Sequence, residues 1–146
     1  FTYFQQMAGF ECKPVSVEIT YGLERICMFT QQKKNVFDLL WNNEGIEYRE
    51  VFHQAEKEFS AYNFEYANTE NLFKIFDMLE MEAKSLIEKK TSLPAYDQCL
   101  KASHIFNILD ARGVISVAQR AEYIGRIRDI TKGAAEIWVN SQNNNG

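Results

Sequence analysis

A carboxylate, a glycine and an arginine lie close together near the start of the chain. The segment reads Glu18-Ile19-Thr20-Tyr21-Gly22-Leu23-Glu24-Arg25. The planar, permanently charged guanidinium of Arg25 suits a phosphate or an aromatic ring face, and the carboxylate of Glu18 suits an ammonium group. Gly22 has no Cβ, so a backbone or a ligand can approach it closely. These residues form a candidate site for a nucleotide and an amine, although a short glycine-to-arginine motif also occurs by chance.

Two predicted strands precede this site. Residues 1–6 and 15–21 are rich in aromatic and β-branched residues, and a connection containing Gly9 and Pro14 separates them. We predict that the two strands are antiparallel neighbours.

The predicted second strand gives way to a helix at the candidate site. Strand alternation would place Glu18 and Thr20 on one face and Ile19 and Tyr21 on the other. Apolar residues then follow helical spacing from Leu23 to Gln31. The glycine between the two elements marks a corner. If that glycine is only a turn, the acidic and basic residues after it are ordinary solvated side chains.

Four helical segments are predicted after a polar stretch and a turn at residues 42–45. They cover about 48–66, 70–90 and 94–113, and the fourth begins near 116. Apolar stripes run along the second and fourth segments, at Leu72, Phe76, Leu79, Ala83 and Leu86, and at Tyr123, Ile127, Ile130, Ala134 and Ile137. Pairs of such stripes pack against each other, so we predict a helical bundle.

The ends of the later helices carry local signals. Pro94 suits a first helical turn, and Gly113 suits a C-terminal cap. Ser116 and Gln119 have the spacing of a capping box, and the polar residues 141–146 are expected to fray. The fold class is therefore α+β, with a strand pair and helix at residues 1–35 and a mainly helical domain at residues 36–146.

Composition excludes several classes of protein. The 146 residues are 46% hydrophobic and 25% charged, which is typical of a globular domain, and no apolar run approaches a membrane span. We expect a cytoplasmic protein. The three cysteines, Cys12, Cys27 and Cys99, form no CxxC pair, so neither a disulfide framework nor a zinc site is expected. A net charge of −4 gives no overall attraction to nucleic acid.

The corner segment resembles motif 3 of class II aminoacyl-tRNA synthetases, and the wider chain resembles the glycyl-tRNA synthetase alpha subunit. The resemblance extends over nearly the whole chain. Its other segments are Phe1-Thr2-Tyr3-Phe4-Gln5-Gln6, Glu11-Cys12-Lys13-Pro14, Asp38-Leu39-Leu40-Trp41, Val51-Phe52-His53-Gln54, Tyr62-Asn63-Phe64-Glu65-Tyr66-Ala67, Phe106-Asn107-Ile108-Leu109-Asp110-Ala111-Arg112 and Tyr123-Ile124-Gly125-Arg126-Ile127-Arg128.

This resemblance implies ATP-dependent activation of glycine to glycyl-adenylate and transfer of glycine to tRNA(Gly). ATP would bind with Mg²⁺, and the implied partners are a beta subunit and a second alpha subunit, as alpha2beta2. Residues 1–35 would be the end of the class II catalytic core, with part of its antiparallel sheet. Motifs 1 and 2 lie upstream in the family, and the aromatic, β-prone start at Phe1 suggests a longer protein. The isolated chain is therefore expected to be inactive.

The resemblance also implies roles for individual residues. Arg25 would be the catalytic arginine, lying against the adenine and reaching the terminal phosphates, with Gly22 and Glu24 beside the nucleotide. Alanyl-tRNA synthetase has an aspartate at the position of Glu18 that holds the substrate ammonium, so Glu18 is expected to bind the amine of glycine. The same comparison suggests that Thr20 narrows the amino-acid pocket.

Other residues admit a functional and a structural interpretation. His53 and His104 lack metal-ligand spacing and are expected at packing or surface positions. The aromatic run of residues 59–66 favours core or interface packing over base stacking. A basic set near the C-terminus could contact tRNA or the beta subunit, or form ordinary solvated faces: Arg112, Arg120, Arg126, Arg128 and Lys132. The alternative function is a non-catalytic helical module that docks a partner subunit.

Overall fold

A computed structural model describes residues 1–143 and has an α+β fold, which confirms the predicted class. A two-stranded hairpin is followed by five α-helices. The strands are β1 (Thr2–Met7) and β2 (Phe10–Glu18), and the helices are α1 (Leu23–Thr30), α2 (Tyr48–Ala61), α3 (Thr69–Glu88), α4 (Ser92–Ala111) and α5 (Val117–Asn143). A short 3₁₀ turn covers Val36–Asp38, and a π-helical turn, Tyr62–Tyr66, follows α2.

The hairpin differs from the predicted pair of strands. Ala8 and Gly9 form a two-residue turn with φ angles of 52° and 88°, so β2 begins at Phe10 rather than near residue 15. Both positive φ angles match the turn type that joins twisted antiparallel strands tightly. Pro14 lies inside β2, not in the connection. A two-stranded sheet consists of edges only, where a residue without an N–H is tolerated.

The strand also ends earlier than predicted, at Glu18. Ile19 and Tyr21 are 64% and 71% exposed and lie outside any strand, as does Thr20. The predicted alternation of residues 18–21 between two faces is therefore wrong. β1 has six residues and β2 has nine, so the end of β2 extends beyond β1 before the chain reaches residues 19–21.

The chain divides into two compact units. The first contains Phe1–Gln5 and Glu11–Tyr62, and the second contains Gln6–Phe10 and the chain from Asn63 onward. In the first unit, Leu39 is buried, and Leu40 forms an isolated bridge to Glu47 around the turn at residues 42–45. At the start of α2, the Glu47 N–H donates to Oε1 of Glu50 at 2.8 Å.

The second unit is a bundle of α3, α4 and α5, here called the helical bundle. Its core consists of three small clusters that follow one another along the bundle: Ala67, Leu72, Ile108 and Leu109; Phe76, Ala102, Phe106 and Tyr123; and Ala83, Cys99 and Ile130. The apolar stripes predicted on the second and fourth helical segments supply many of these residues. The predicted bundle packing is therefore confirmed.

The predicted helix ends are mostly confirmed. Gly113 follows α4 with φ of 65°. Ser116 and Gln119 form the predicted box: the Ser116 N–H donates to Oε1 of Gln119 at 2.8 Å, and the Gln119 N–H donates to Oγ of Ser116 at 3.2 Å. α5 remains helical to Asn143, so fraying from residue 141 is wrong for residues 141–143. Residues 144–146 lie outside the described part of the chain.

The aromatic run of residues 59–66 is not buried in a core. Phe59, Phe64 and Tyr66 are 68%, 60% and 74% exposed. Core packing is therefore wrong for these three side chains, whereas a role at an interface stays a prediction. Within residues 1–143, no helix is long and apolar enough to cross a membrane.

Candidate functional site

The candidate site lies where the chain leaves β2 and enters α1. Gly22 is the N-cap of α1, and no side chain there bonds to the first helical turn. Its carbonyl accepts a hydrogen bond from the Ile26 N–H at 3.1 Å, which starts the helix. The first backbone N–H groups of α1 therefore have no side-chain cap. Such groups are unsatisfied within a helix and favour negative charge.

The backbone conformation at Gly22 does not require a glycine. Its φ of −76° is open to any residue. An added Cβ would meet only Cβ of Arg25, at 3.8 Å, which is an ordinary van der Waals contact. The sequence prediction that this glycine keeps space free for an approaching group therefore stays a prediction, without support from the backbone angles.

An open pocket faces this corner. Its lining consists of Gly22, Glu24, Arg25, Met28 and Val36. The Arg25 side chain is exposed, and within residues 1–143 it makes no hydrogen bond or ion pair. Its guanidinium keeps all five N–H donors for a ligand. Arg25, Gly22 and Glu24 are the predicted site residues that the structure brings together.

Glu24 makes a hydrogen bond to the first residue of α2. Its Oε1 accepts this bond from the Tyr48 hydroxyl at 3.4 Å. Burial, and after it the Glu24 carboxylate, raises the pKa of Tyr48. The Tyr48 hydroxyl therefore remains a protonated donor at neutral pH. This bond joins the first turn of α1 to the start of α2.

A second cleft beside α1 is mainly apolar. It is lined by Leu23, Glu24, Cys27, Leu39, Leu40, Trp41, Tyr48 and Phe52. Three of its aromatic rings contact one another: the centroids of Tyr48 and Phe52 are 4.7 Å apart, and those of Trp41 and Phe52 are 5.2 Å apart. Nothing in the sequence pattern singled out this aromatic group, because its members lie in a loop and on α2.

Glu18 and Thr20 lie outside the pocket that Arg25 lines. Glu18 is half-buried at the last residue of β2, and Thr20 is exposed in the link to α1. Neither side chain is among the residues that line the pocket. Their predicted roles in binding glycine stay predictions.

The basic residues near the C-terminus are mostly used within the helical bundle. The Arg112 guanidinium donates to the Ala67 carbonyl at 2.8 Å, and Arg120 pairs with Asp110 at 3.1 Å. Arg128 and Lys132 are exposed. The contact of this basic set with tRNA or a partner stays a prediction, and Arg128 and Lys132 are the members whose side chains make no hydrogen bond or ion pair in the described residues.

Arg126 is a partly buried basic residue with several partners. Its Nε donates to Oε2 of Glu80 at 2.8 Å, and its Nη2 bonds both Glu80 and Asp77, the latter at 2.6 Å. Its guanidinium lies 4.6 Å from the Phe76 ring centroid and 4.9 Å from that of Tyr123. The hydrogen bond from Arg126 holds the pKa of buried Glu80 below its ordinary range. Arg126 therefore joins α5 to α3.

The histidines lie at the surface. His53 and His104 are both exposed, and the His53 ring packs 4.6 Å from the Phe37 ring centroid. In the described residues, no three His, Cys, Asp or Glu side chains come together to hold a metal ion. All three cysteines are free thiols, and Cys99 is buried.

A comparison with known protein families identifies the family of this chain. Residues 1–143 match the family model described as glycyl-tRNA synthetase alpha subunit. The match defines the class of the protein as an aminoacyl-tRNA synthetase, a ligase of translation. More narrowly, the chain belongs to the glycyl-tRNA synthetase alpha-subunit family, which supports a role as part of a glycine–tRNA ligase and confirms the resemblance drawn from the sequence.

Proposed function

We propose that this chain supplies the ATP-binding arginine for the activation of glycine. The reaction would make glycyl-adenylate from glycine and ATP and then transfer the glycyl group to tRNA(Gly). The observation that carries this proposal is Arg25, an exposed guanidinium at the mouth of an open pocket, with no ionic partner among residues 1–143. A permanently charged planar group with free donors suits a nucleotide triphosphate.

Activation needs no covalent nucleophile from the protein. A carboxylate oxygen of glycine attacks the α-phosphorus of ATP, the bond to the bridging oxygen breaks, and pyrophosphate leaves with that oxygen. Arg25 lies against the adenine and reaches the terminal phosphates, so it holds the nucleotide and offsets charge on the leaving group. Mg²⁺ enters with the phosphates of ATP as part of the substrate. This is the chemistry of a class II synthetase.

The remaining site residues receive narrower roles. Glu18 binds the ammonium group of glycine, and Thr20 narrows the amino-acid pocket against larger side chains. Gly22 leaves room beside the nucleotide. Glu24 acts from the flank of the ATP pocket, because its carboxylate bonds Tyr48.

The isolated chain of 146 residues is inactive in this proposal, because the family resemblance places motifs 1 and 2 of the active site outside these residues. The complete enzyme assembles with a beta subunit and a second alpha subunit, in an alpha2beta2 heterotetramer that acts on tRNA(Gly) in the cytoplasm. Measurable glycine-dependent exchange of pyrophosphate into ATP by the isolated chain would contradict this part of the proposal.

Arg25→Ala in the complete enzyme tests the proposal. Loss of one group that stabilises the reacting phosphates costs about 10²–10³-fold in rate, so glycine-dependent ATP–pyrophosphate exchange should fall by that factor. Lys34→Ala is the matched control, because Lys34 is an exposed cation outside the pocket lining. Exchange by Arg25→Ala equal to that of the control would refute the role of Arg25.

The selectivity role of Thr20 has its own test. A single methyl group is worth only about 10–200-fold in discrimination, so a pocket for glycine must exclude alanine by shape. Thr20→Gly should increase the activation of alanine relative to glycine in the complete enzyme. An unchanged ratio of alanine to glycine activation would contradict a role of Thr20 in the amino-acid pocket.

A second candidate function is a non-catalytic module that docks a partner subunit. The exposed aromatic side chains after α2 favour it, since Phe64 and Tyr66 are 60% and 74% exposed. The Arg25→Ala variant separates the two functions. Full exchange activity with subunit assembly retained would support the docking module instead.

A further inference from the structure

The helix that carries Arg25 contains little that fixes its own direction. α1 is eight residues long, none of its residues is buried, and its N-cap Gly22 provides no side-chain bond. Helices this short are not stable by themselves in water. The direction of the Arg25 side chain must therefore depend on what holds α1 from outside.

One attachment lies at the C-terminal end of α1. Gln31 is the C-cap residue, and its side-chain amide bonds both backbone groups of Leu40: Oε1 accepts from the Leu40 N–H at 2.8 Å, and Nε2 donates to the Leu40 carbonyl at 3.1 Å. Leu40 is itself fixed by its bridge to Glu47 and by the buried Leu39 before it. Gln31 therefore ties α1 to the bridged loop at residues 40–47 of the same unit.

A second attachment lies at the N-terminal end. The Tyr48 hydroxyl donates to Glu24, the residue directly before Arg25. Tyr48 is held in place by its N–H, which donates to the Leu39 carbonyl at 2.7 Å, and by its ring, which packs against Phe52 at 4.7 Å. Both attachments thus meet at the segment of residues 39–48.

We propose that Gln31 and Tyr48 are positioning residues for Arg25, because together they hold the two ends of α1 against residues 39–48. They touch no substrate and act only through α1. This inference rests on the proposed function, since it takes Arg25 as the ATP-binding arginine. If either attachment is lost, α1 rotates and the Arg25 guanidinium moves away from the nucleotide.

The variants Gln31→Met and Tyr48→Phe in the complete enzyme test the proposal through the KM for ATP. Gln31→Met keeps the side-chain length but loses two hydrogen bonds, so the KM for ATP should rise about tenfold. Tyr48→Phe loses one longer bond, and a rise of about threefold is expected. The KM for glycine should stay unchanged in both.

Gln32→Met is the matched control. Gln32 is exposed, and its side chain makes no hydrogen bond within the described residues. The KM for ATP of the Gln32→Met enzyme should therefore equal that of the parent enzyme. An unchanged KM for ATP in both Gln31→Met and Tyr48→Phe would overturn the positioning role. Having two variants keeps the test decisive if one of them fails to fold.

A double variant distinguishes positioning from general damage. Added to Arg25→Ala, Gln31→Met should raise the KM for ATP no further, because it acts through Arg25 alone. Additive effects would overturn the proposal. Arg25→Ala without any effect would refute the proposed function itself, whereas a large effect of Arg25→Ala together with inert Gln31→Met and Tyr48→Phe would refute only the positioning role.

Discussion

Two arginines in this chain have opposite surroundings. In the helical bundle, Arg126 donates to Glu80 and Asp77, and its guanidinium lies over the rings of Phe76 and Tyr123. At the corner, Arg25 is exposed beside an open pocket and has no such partner in the described residues. The same side chain is used for internal cohesion in one unit and left available for a ligand in the other.

This contrast extends to the elements that carry the two arginines. Residues of α3, α4 and α5 fill three buried clusters, and the N-terminus of α5 has a capping box. No residue of α1 is buried, and its N-terminus has no side-chain cap. We infer that the bundle carries stability, whereas the corner is arranged for binding and contributes little to stability.

The largest expected effect comes from opening the bundle core. Phe76 is fully buried, and Phe76→Ala should lower the free energy of unfolding by about 3–5 kcal/mol. Phe29 on α1 is 85% exposed, so Phe29→Ala should change the free energy of unfolding by about 0.5 kcal/mol or less. Denaturant unfolding of both variants measures the difference. Equal losses of unfolding free energy in the two variants would contradict the inferred difference in stability between the two units.

Removal of the Arg126 guanidinium should have the next largest effect. Arg126→Met leaves Glu80 buried without its main partner, and the expected loss is about 3 kcal/mol. Arg128→Met is the control, because Arg128 is exposed on the same helix. A charge reversal that tests contact with tRNA or a partner should therefore use Arg128 and Lys132, since reversal at Arg126 would damage the bundle whichever interpretation holds.

Acid should weaken the bundle through Glu80. Its pKa in the folded state lies below its ordinary value of 4.5, chiefly because Arg126 donates a hydrogen bond to it. The contribution of Glu80 to stability is therefore fully present above about pH 4.5 and is lost as the pH falls through the lower folded-state pKa. Between pH 6 and about pH 3, the free energy of unfolding should decrease less for Glu80→Gln than for the parent chain. Glu82→Gln, at an exposed position, should keep the parent profile.

The smallest expected effects concern the two helix N-termini. Ser116→Ala removes one bond of the α5 capping box and should cost about 1 kcal/mol. Gly22→Ala at the start of α1 meets only Cβ of Arg25 at 3.8 Å, so stability should hardly change. In the complete enzyme, however, the same Gly22→Ala should raise the KM for ATP if the nucleotide lies beside this backbone. An unchanged KM would remove Gly22 from the site.

The parts of the fold that depend on local spacing could be predicted from the sequence. Ser116 and Gln119 are three residues apart, and the stripe from Leu72 to Ala83 follows the helical period, so both were visible without a structure. The sequence pattern predicts a connection that contains Gly9 and Pro14, whereas the turn is Ala8-Gly9 and Pro14 lies within β2. A strand on an open two-stranded sheet accommodates the proline, and sequence alone does not reveal that the sheet has only edges.

The site was predictable in part, for the same reason. Gly22 and Arg25 lie within one helical turn, so their shared pocket follows from the motif. The bonds that hold that turn join Gln31 to Leu40 and Glu24 to Tyr48, which lie 9 and 24 residues apart. Arg126 and Glu80 lie 46 residues apart. Such pairings depend on how the elements pack, and no local pattern marks them.

The central claim is that one arginine serves the reaction and the other serves the fold, and a paired measurement tests it most directly. Arg25→Ala and Arg126→Met would each be assayed in the complete enzyme for glycine-dependent ATP–pyrophosphate exchange per folded molecule, and in the chain for the free energy of unfolding. We expect Arg25→Ala to lose about 10²–10³-fold in exchange with unchanged stability, and Arg126→Met to lose stability with exchange per folded molecule retained. Full exchange activity in Arg25→Ala, or a loss of stability as large as that of Arg126→Met, would contradict the account.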